Sequence, residues 1–336
     1  MTETEPRTAS HRDRSTAGWR MALEENRGWV MAGTAVAALG ASAIVNRVNA
    51  KRAEAITPPA GRFVDAGGVR LHYVERGSGS PVVLLHGNGV TLQDFEVSGV
   101  LGLAAAQHRV LAFDRPGFGY SERPRTTVWT PQAQAAAVAA ALKALGVGPA
   151  VVVGHSWGAL VALALAAAHP DAVSGLVLMG GYYYPSARPD VAVLAPPAVP
   201  VLGDVMANTV SPLSGALLGP AAVKASFAPA PVSAKFKNFP MGLALRPSQV
   251  RATAADSAMM IPAAAALNRG YKDLALPVVI MAGKGDRIVH VDRHAERLAG
   301  EIAGSELRIV PGQGHLFHYA VPEQVVAAID EVARRG

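Results

Sequence analysis

The sequence predicts an α/β fold in which a largely parallel sheet is covered by helices on both faces. Short apolar runs of strand length alternate with alanine-rich stretches of helical length, and one proline-rich segment interrupts this alternation. Half of the 336 residues are apolar and 17% are charged, so the chain can bury a sizeable core. Its length fits one large domain, or one domain with an insertion.

Charge and cysteine content exclude several classes of protein. The net charge is +6, but the basic residues are spread along the chain without a nucleic-acid-reading motif, so we expect no nucleic-acid partner. The absence of cysteine excludes disulfides, a thiol nucleophile and cysteine-ligated zinc. A nucleophile must therefore be Ser, Thr, Asp, Glu or Lys.

The N-terminal region predicts a membrane helix. Residues 1–27 are polar and predict a flexible tail, whereas Gly28 to Val45 carry no charge. At about 1.5 Å per residue this run just crosses a ~30 Å hydrocarbon layer. We expect a single anchor over residues 28–46, with no orientation predicted. A signal peptide cleaved after Ala41-Ser42-Ala43, giving a secreted or periplasmic protein, and a soluble alanine-rich helix are alternatives.

After a Pro58-Pro59 linker, eight runs of strand length predict strands. The first two are expected to pair with each other, and the later, fully apolar runs are typical of buried parallel strands. The eight runs are Phe63–Val64, Val69–Glu75, Val82–Leu85, Arg109–Phe113, Ala150–Val153, Gly175–Met179, Pro277–Ala282 and Leu307–Val310. Helices are predicted over Gln132–Leu145, Ala159–Ala168 and Pro322–Arg335. The core domain is expected to comprise residues 60–184 and 263–336.

Residues 185–262 show no strand pattern and hold many of the chain's prolines. An insertion of this size in a compact domain is expected to be functional. We predict a helical cap over the active site, broken by proline into short pieces. Its large apolar residues either contact substrate or form the cap's own core: Met206, Phe227, Phe236, Phe239, Met241, Met259 and Met260.

The strongest chemical signal is the sequence Gly154-His155-Ser156-Trp157-Gly158. It follows the apolar strand at Val151–Val153 and precedes a predicted helix, which is the context of a G-x-S-x-G nucleophile elbow. The glycines permit a strained backbone and a close approach of strand and helix. Ser156 is therefore the candidate nucleophile.

A serine hydroxyl needs a base, and the base needs an orienting acid. His315 follows the last predicted strand and Asp286 follows the strand before it, so both are expected at the same sheet edge as Ser156. The chain order Ser, Asp, His is typical of such a site. His318 is an alternative base. Asp292 is an alternative acid, although its position favours capping of a helix.

The turn His86-Gly87-Asn88-Gly89 follows the buried strand Val82–Leu85. By position, the backbone N–H groups of Asn88 and Trp157 are expected to form an oxyanion hole for a tetrahedral intermediate. The Asn88 side chain is expected either to bind substrate or to hold the loop.

Together these residues resemble the α/β-hydrolase superfamily over about residues 60–335. The resemblance is carried by the HG turn, the loop from Asp114 to Ser121, the GHSWG elbow and the loops of Asp286 and His315. It implies an eight-stranded sheet, a cap inserted after the sixth strand, and a triad that needs no cofactor and no metal. It also implies that Asp114 belongs to a structural turn.

The residue at the nucleophile position limits which α/β hydrolases this chain resembles. Haloalkane dehalogenases and epoxide hydrolases of this fold carry Asp where this chain has Ser156, so both are disfavoured. We expect a serine hydrolase of small or medium apolar esters, with His86, His155, Phe227, Phe236, Phe239, Met241 and Met259 as candidate substrate contacts. Amide, carbon–carbon or perhydrolase chemistry and a non-catalytic, membrane-tethered binding protein are alternatives. The cap's few acids (Asp190, Asp204 and Asp256) favour an uncharged or anionic substrate. No oligomeric state is predicted.

Overall fold

The computed structural model describes the backbone from His11 to Gly336 and the side chains from Asn26 onward. The chain divides into two units, residues 1–45 and residues 46–336. The first helix, α1 (His11–Ile56), runs from one unit into the other. The backbone of the predicted N-terminal tail (residues 1–27) is helical from His11 onward, while residues 1–10 lie outside the described residues.

The N-terminal helix contains a stretch, Asn26–Ile56, that is long and apolar enough to cross a membrane by length and composition. This stretch includes the predicted anchor at residues 28–46. Large apolar side chains within it, such as Val36 and Ile44, are exposed, whereas a core helix of a soluble domain would bury them. A membrane anchor and a signal sequence both fit these observations.

Eight strands form one sheet in the order β1-β2-β4-β3-β5-β6-β7-β8. β1 pairs antiparallel with β2, and β2 with β4, while all other neighbours in the sheet are parallel. The predicted fold class is confirmed, and each strand overlaps its predicted run. The strands are β1 (Arg62–Asp65), β2 (Arg70–Arg76), β3 (Pro81–Leu85), β4 (Arg109–Phe113), β5 (Ala150–His155), β6 (Val173–Met179), β7 (Val278–Gly283) and β8 (Glu306–Val310).

Helices cover both faces of this sheet because side chains of a strand alternate between faces. On β5, Val152 points into the core beneath α4 and α5, whereas Val151 points into the core beneath α3 and α12. The core helices are α2 (Gln93–Ser98), α3 (Val100–Ala104), α4 (Pro131–Ala144), α5 (Trp157–Ala168), α11 (Arg297–Glu301) and α12 (Pro322–Arg335).

The chain between β6 and β7 forms the helical cap. Within these described residues it contains helices and turns but no strand. Its helices are α6 (Pro189–Leu194), α7 (Leu202–Asn208), α8 (Val210–Phe227), α9 (Met241–Ala244) and α10 (Pro247–Leu267).

Proline divides the cap only in part: α6 and α10 begin at Pro189 and Pro247, but two other prolines lie inside helices. Pro220 lies inside the 18-residue α8, and Pro262 lies inside the 21-residue α10, which continues to Leu267. A proline inside a helix costs about 3 kcal/mol. In α10 this cost is offset by packing, because Ala263, Ala264 and Leu267, just beyond the proline, are buried in the core.

Candidate active site

The turn after β5 holds Ser156 in a strained conformation. β5 ends at His155 and α5 begins at Trp157, so Ser156 alone makes the turn. Its φ of 53° and ψ of −116° lie where non-glycine residues are rare. Surrounding structure must enforce such strain, and here the Ser156 N–H donates a 2.8 Å hydrogen bond to the carbonyl oxygen of Met179. The strand–turn–helix context of a nucleophile elbow is therefore present.

Both flanking glycines are required by close backbone packing. A Cβ atom on Gly154 would collide with the carbonyl oxygen of Gly158, and one on Gly158 would collide with the carbonyl oxygen of Leu85. The start of α5 is thus pressed against the end of β3. This contact brings Ser156 next to the turn that carries Asn88.

A hydrogen-bonded pair of His315 and Asp286 lies at the same sheet edge, after β8 and β7. His315 Nδ1 is 2.7 Å from Asp286 Oδ2. The other carboxylate oxygen, Oδ1, accepts the N–H groups of Ile288 (2.8 Å) and Val289 (2.9 Å). Asp286 is therefore fixed in orientation, and its hydrogen bond leaves Nε2 as the free nitrogen of His315.

The alternative base and acid lie elsewhere. His318 is buried away from the cavity described below, and its Nε2 is 3.0 Å from Asp94 Oδ2. Asp292 is exposed and begins a short π-helical turn, Asp292–Glu296, without capping it through its side chain. The expected capping role of Asp292 is wrong, and the geometry favours His315 and Asp286.

Of the two residues whose backbone N–H groups are expected to bind an oxyanion, Asn88 lines the same cavity as Ser156 and Trp157 directly follows Ser156 in the chain. Trp157 is the first residue of α5, and the first N–H groups of a helix have no acceptor within it. The Asn88 side chain donates from Nδ2 to the Thr253 carbonyl oxygen (3.1 Å) and to Ser257 Oγ (3.0 Å). Of its two expected roles, the structure therefore favours holding the loop to the cap.

A cavity of about 570 Å³ lies between the cap and the sheet edge, within the usual size range of small-molecule sites. Its core side includes Asn88, His155, Ser156 and His315. Among the side chains that the structure describes, no Arg, Lys, Asp or Glu lines it. Cap residues supply an apolar wall that includes Met206, Phe236, Phe239 and Met241.

Three of the expected substrate contacts do not line this cavity. His86 is fully buried beneath the Gly87–Asn88 turn. Phe227 packs edge-on against Phe236, with 5.4 Å between the ring centroids, and Met259 packs against the hydrophobic core. Phe227 and Met259 lie on the long helices α8 and α10, which have one face toward the cavity and another toward the core, so residue type alone does not separate pocket from core.

A buried ion pair connects the turn after β3 to the cap, and sequence reasoning missed it. Arg115 donates to the carbonyl oxygens of His86 (2.8 Å) and Gly87 (2.9 Å), while its Nη1 is 2.7 Å from Asp256 Oδ2 on α10. Arg123 lies 2.9 Å from the other Asp256 oxygen. The ion pair thus holds the expected oxyanion loop beneath α10.

All three cap acids are paired with arginines rather than facing substrate. Asp190 pairs with Arg188 at 2.6 Å, and Asp204 pairs with arginines from the core and the cap. Asp256 pairs as described above. The number of cap acids therefore does not indicate the charge of the substrate. The uncharged cavity wall does indicate it, because substrate would contact that wall.

The Asp256→Asn variant is expected to lose about 3–5 kcal/mol of unfolding free energy, because Arg115 is left as an uncompensated buried charge. Urea unfolding of the full-length protein measures this loss. Asp190→Asn is the matched control. It should cost at most about 1 kcal/mol, since the Asp190 side chain is 44% exposed. Equal losses would contradict the assigned role of Asp256.

A second buried cluster supports the segment that carries His315. Asp94 Oδ2 is 3.0 Å from His318 Nε2, and its Oδ1 accepts the Tyr319 hydroxyl at 2.9 Å. Burial alone would raise the pKa of Asp94, but His318, His155 and Tyr319 lower it to about 2. His155, whose pKa is held well below its usual range by burial and by its histidine neighbours, makes a 3.2 Å hydrogen bond to the His315 carbonyl oxygen.

This second cluster is also the place where described side chains come close enough to share a metal ion. Donor atoms of Asp94, His155 and His318 lie within 4.8 Å of one another. Hydrogen bonds from His318 and Tyr319 already satisfy the Asp94 carboxylate. We therefore interpret the cluster as a structural support of the His315 loop.

Stability should fall in mild acid because His86 is neutral in the fold. Burial, assisted by Arg115, lowers the pKa of His86 from 6.5 to about 3. Between these two pKa values the unfolded chain binds a proton on this histidine and the folded chain does not. The free energy of unfolding therefore decreases as the pH falls, by up to about 1.4 kcal/mol per pH unit. His86→Gln can keep the hydrogen bonds to the Gly87 carbonyl oxygen and the Arg115 N–H. Urea titrations should give this variant a shallower pH slope, and an unchanged slope would contradict the neutral state of His86.

The chain belongs to the family of the alpha/beta hydrolase fold, whose model matches residues 80–320. It is 37% identical over 124 residues to the 2-hydroxymuconate semialdehyde hydrolase of Pseudomonas putida, covering 37% of this chain and 44% of that protein. It is 30% identical over 125 residues to haloalkane dehalogenase 2 of Mycobacterium tuberculosis, covering 37% and 43% of the two chains. The matches thus span less than half the length of these curated relatives.

Solved structures share the fold over most of both chains. A thermophilic esterase from Thermogutta terrifontis has a TM-score of 0.65 at 23% identity and covers 82% of this chain and 98% of its own. An alpha/beta hydrolase fold protein from Burkholderia ambifaria has a TM-score of 0.64 at 25% identity, with 81% and 97% covered.

Proposed function

We propose that this protein is a serine hydrolase that cleaves uncharged carboxylic esters of small to medium apolar substrates. The proposal rests on the strained Ser156 lining the same cavity as His315, whose other nitrogen is paired with Asp286. A strained nucleophile, a base and an orienting acid are the parts that acyl transfer requires.

The reaction proceeds through an acyl-enzyme. His315 Nε2 takes the Ser156 proton as Oγ attacks the ester carbonyl carbon, and Asp286 stabilises the imidazolium through Nδ1. The N–H groups of Asn88 and Trp157 bind the oxyanion of the tetrahedral intermediate. The intermediate expels the alcohol, which takes the proton from His315. Water, deprotonated by His315, then attacks the acyl carbon, and His315 returns that proton to Ser156 Oγ as the acid is released.

The cavity wall favours an uncharged substrate. A carboxylate or ammonium group enclosed there would lose its hydration without finding an ionic partner, which is costly. Apolar acyl chains instead gain from contact with Phe236, Phe239 and Met241. A small, neutral, apolar ester fits this wall best.

Carbon–carbon hydrolysis is a second candidate, because curated relatives include the hydrolase of 2-hydroxymuconate semialdehyde. A muconate carries a carboxylate, however, and no described lysine or arginine lines the cavity to bind it. Neither candidate needs a cofactor, and the same residues could carry amide or peracid chemistry. The geometry favours the ester.

Turnover of p-nitrophenyl esters of increasing acyl length tests the proposal on the full-length chain. We expect kcat/KM to rise with acyl length until the cavity is filled. An ester with the same chain ending in a carboxylate should react at least about tenfold more slowly, for want of an ionic partner. Faster turnover of the carboxylated ester, of an amide or of a 2-hydroxy-6-oxo-dienoate would contradict the assignment.

A further inference from the structure

The cap exposes a large apolar surface on α6, α7 and α8. Between Asp190 and Lys224 the only charged residue is Asp204, whose carboxylate pairs with Arg125 at 2.9 Å and Arg251 at 2.6 Å. Side chains on this surface are strongly exposed: Val193 by 74%, Leu202 by 55% and Leu217 by 79%. Exposed apolar patches of this kind mark interaction sites on soluble domains. We call this surface the cap face.

The cap face contains the mouth of the cavity. Val193, Leu194, Val210 and Leu218 all line the cavity, and all four are also exposed to solvent, Leu218 by 61%. Side chains that meet both the cavity and the solvent mark its opening. A substrate that enters there passes over an apolar rim.

The end of the predicted anchor is hydrogen-bonded to the cap beside the cap face. Asn46 Nδ2 donates to the carbonyl oxygens of Asn208 (2.9 Å) and Thr209 (2.6 Å), where α7 meets α8. A few residues later, Glu54 pairs with Arg246 at 2.8 Å. Asn46 is the last residue of the predicted anchor and directly follows the uncharged run that ends at Val45. A membrane that holds the preceding apolar residues therefore begins beside the junction of α7 and α8.

We propose that the cap face docks on a lipid bilayer, so that the cavity opens at the boundary of headgroups and acyl chains and admits lipid-soluble esters from the membrane. The docking follows from the apolar cap face and from the chain connection at Asn46. The choice of lipid-soluble esters rests in addition on the proposed ester hydrolysis. An apolar face at this boundary is buried by about 5–10 Å.

The absence of native cysteine allows single labels to test the docking. Full-length Leu202→Cys and Leu217→Cys variants carry an environment-sensitive fluorophore, and the protein is reconstituted in phosphatidylcholine vesicles that contain acyl-chain spin-labelled lipid. Gln107→Cys is the control, because Gln107 is exposed beside the amino end of β4, opposite the cap. We expect lipid quenching at positions 202 and 217 but not at position 107.

Equal, unquenched emission at all three positions would overturn the docking. So would disulfide formation between copies of the Leu217→Cys variant without lipid quenching, because a second copy would then cover the cap face. Quenching confined to positions 202 and 217 supports the bilayer as the occupant.

Turnover measurements distinguish a failure of the docking proposal from a failure of the proposed ester hydrolysis. Neither Leu202 nor Leu217 lines the cavity. The double variant Leu202→Ser/Leu217→Ser should hydrolyse a water-soluble p-nitrophenyl ester normally, but its kcat/KM toward a vesicle-embedded ester should fall on the order of tenfold. An unchanged rate on the embedded ester counts against the docking. Lipid quenching with no turnover of either ester would overturn the ester chemistry and leave the docking supported.

Discussion

Replacing Ser156 by alanine is expected to lower ester turnover on the order of a million-fold, the loss typical of removing a triad serine. The variant loses the oxygen that forms the acyl-enzyme, while the cavity and the oxyanion donors remain. Steady-state hydrolysis of a p-nitrophenyl ester by the full-length protein measures the effect. Folding is checked by urea unfolding, because the strained turn at φ 53° can relax in the variant.

Ser214→Ala is the matched control for this loss. Ser214 lines the same cavity, but its hydroxyl donates to the Val210 carbonyl oxygen one helical turn earlier and lies in the cap. We expect turnover close to that of the unchanged protein. Wild-type turnover by Ser156→Ala would contradict the proposed mechanism, and equal losses in both variants would indicate a general effect on the cavity.

Replacing Asp286 by asparagine is expected to lower kcat about ten-thousand-fold. The 2.7 Å contact with His315 Nδ1 selects the tautomer whose Nε2 can take the serine proton, and it stabilises the imidazolium. An asparagine amide that donates to Nδ1 would favour the opposite tautomer. KM should change little, since Asp286 does not line the cavity.

Asp292→Asn distinguishes the two candidate acids. Asp292 is exposed and has no hydrogen bond to His315 among the described contacts, so kcat should stay within a few-fold of wild type. A large kcat loss in Asp292→Asn, or a small one in Asp286→Asn, would reverse the assignment of the orienting acid.

The sheet could be predicted from sequence because buried parallel strands are almost entirely apolar. Runs such as Val82–Leu85 and Ala150–Val153 have no other stable environment in a domain of this size, and their order fixes which loops share an edge. The G-x-S-x-G motif indicated Ser156, and the loops at the same edge then indicated Asp286 and His315. The strand connectivity thus explains why Ser156 and His315 line one cavity and why His315 contacts Asp286.

The contacts around the site could not be predicted in this way. Arg115 and Asp256 are 141 residues apart, and Asp94 and His318 are 224 apart. No local pattern links such partners. A fully buried arginine is stable only beside a carboxylate, but the sequence does not show that Arg115 is buried. In the cap, Phe236 lines the cavity whereas Phe227, which packs against it, does not, and residue type does not distinguish the two.

Fluorophosphonate labelling of the folded, full-length protein followed by peptide mass spectrometry tests the central claim most directly. The account predicts one phosphonylated peptide carrying the modification on Ser156, with labelling abolished in Ser156→Ala and retained in Ser214→Ala. Labelling of another serine, or none in protein whose fold is intact, would contradict Ser156 as an activated nucleophile and favour a binding protein on a hydrolase scaffold.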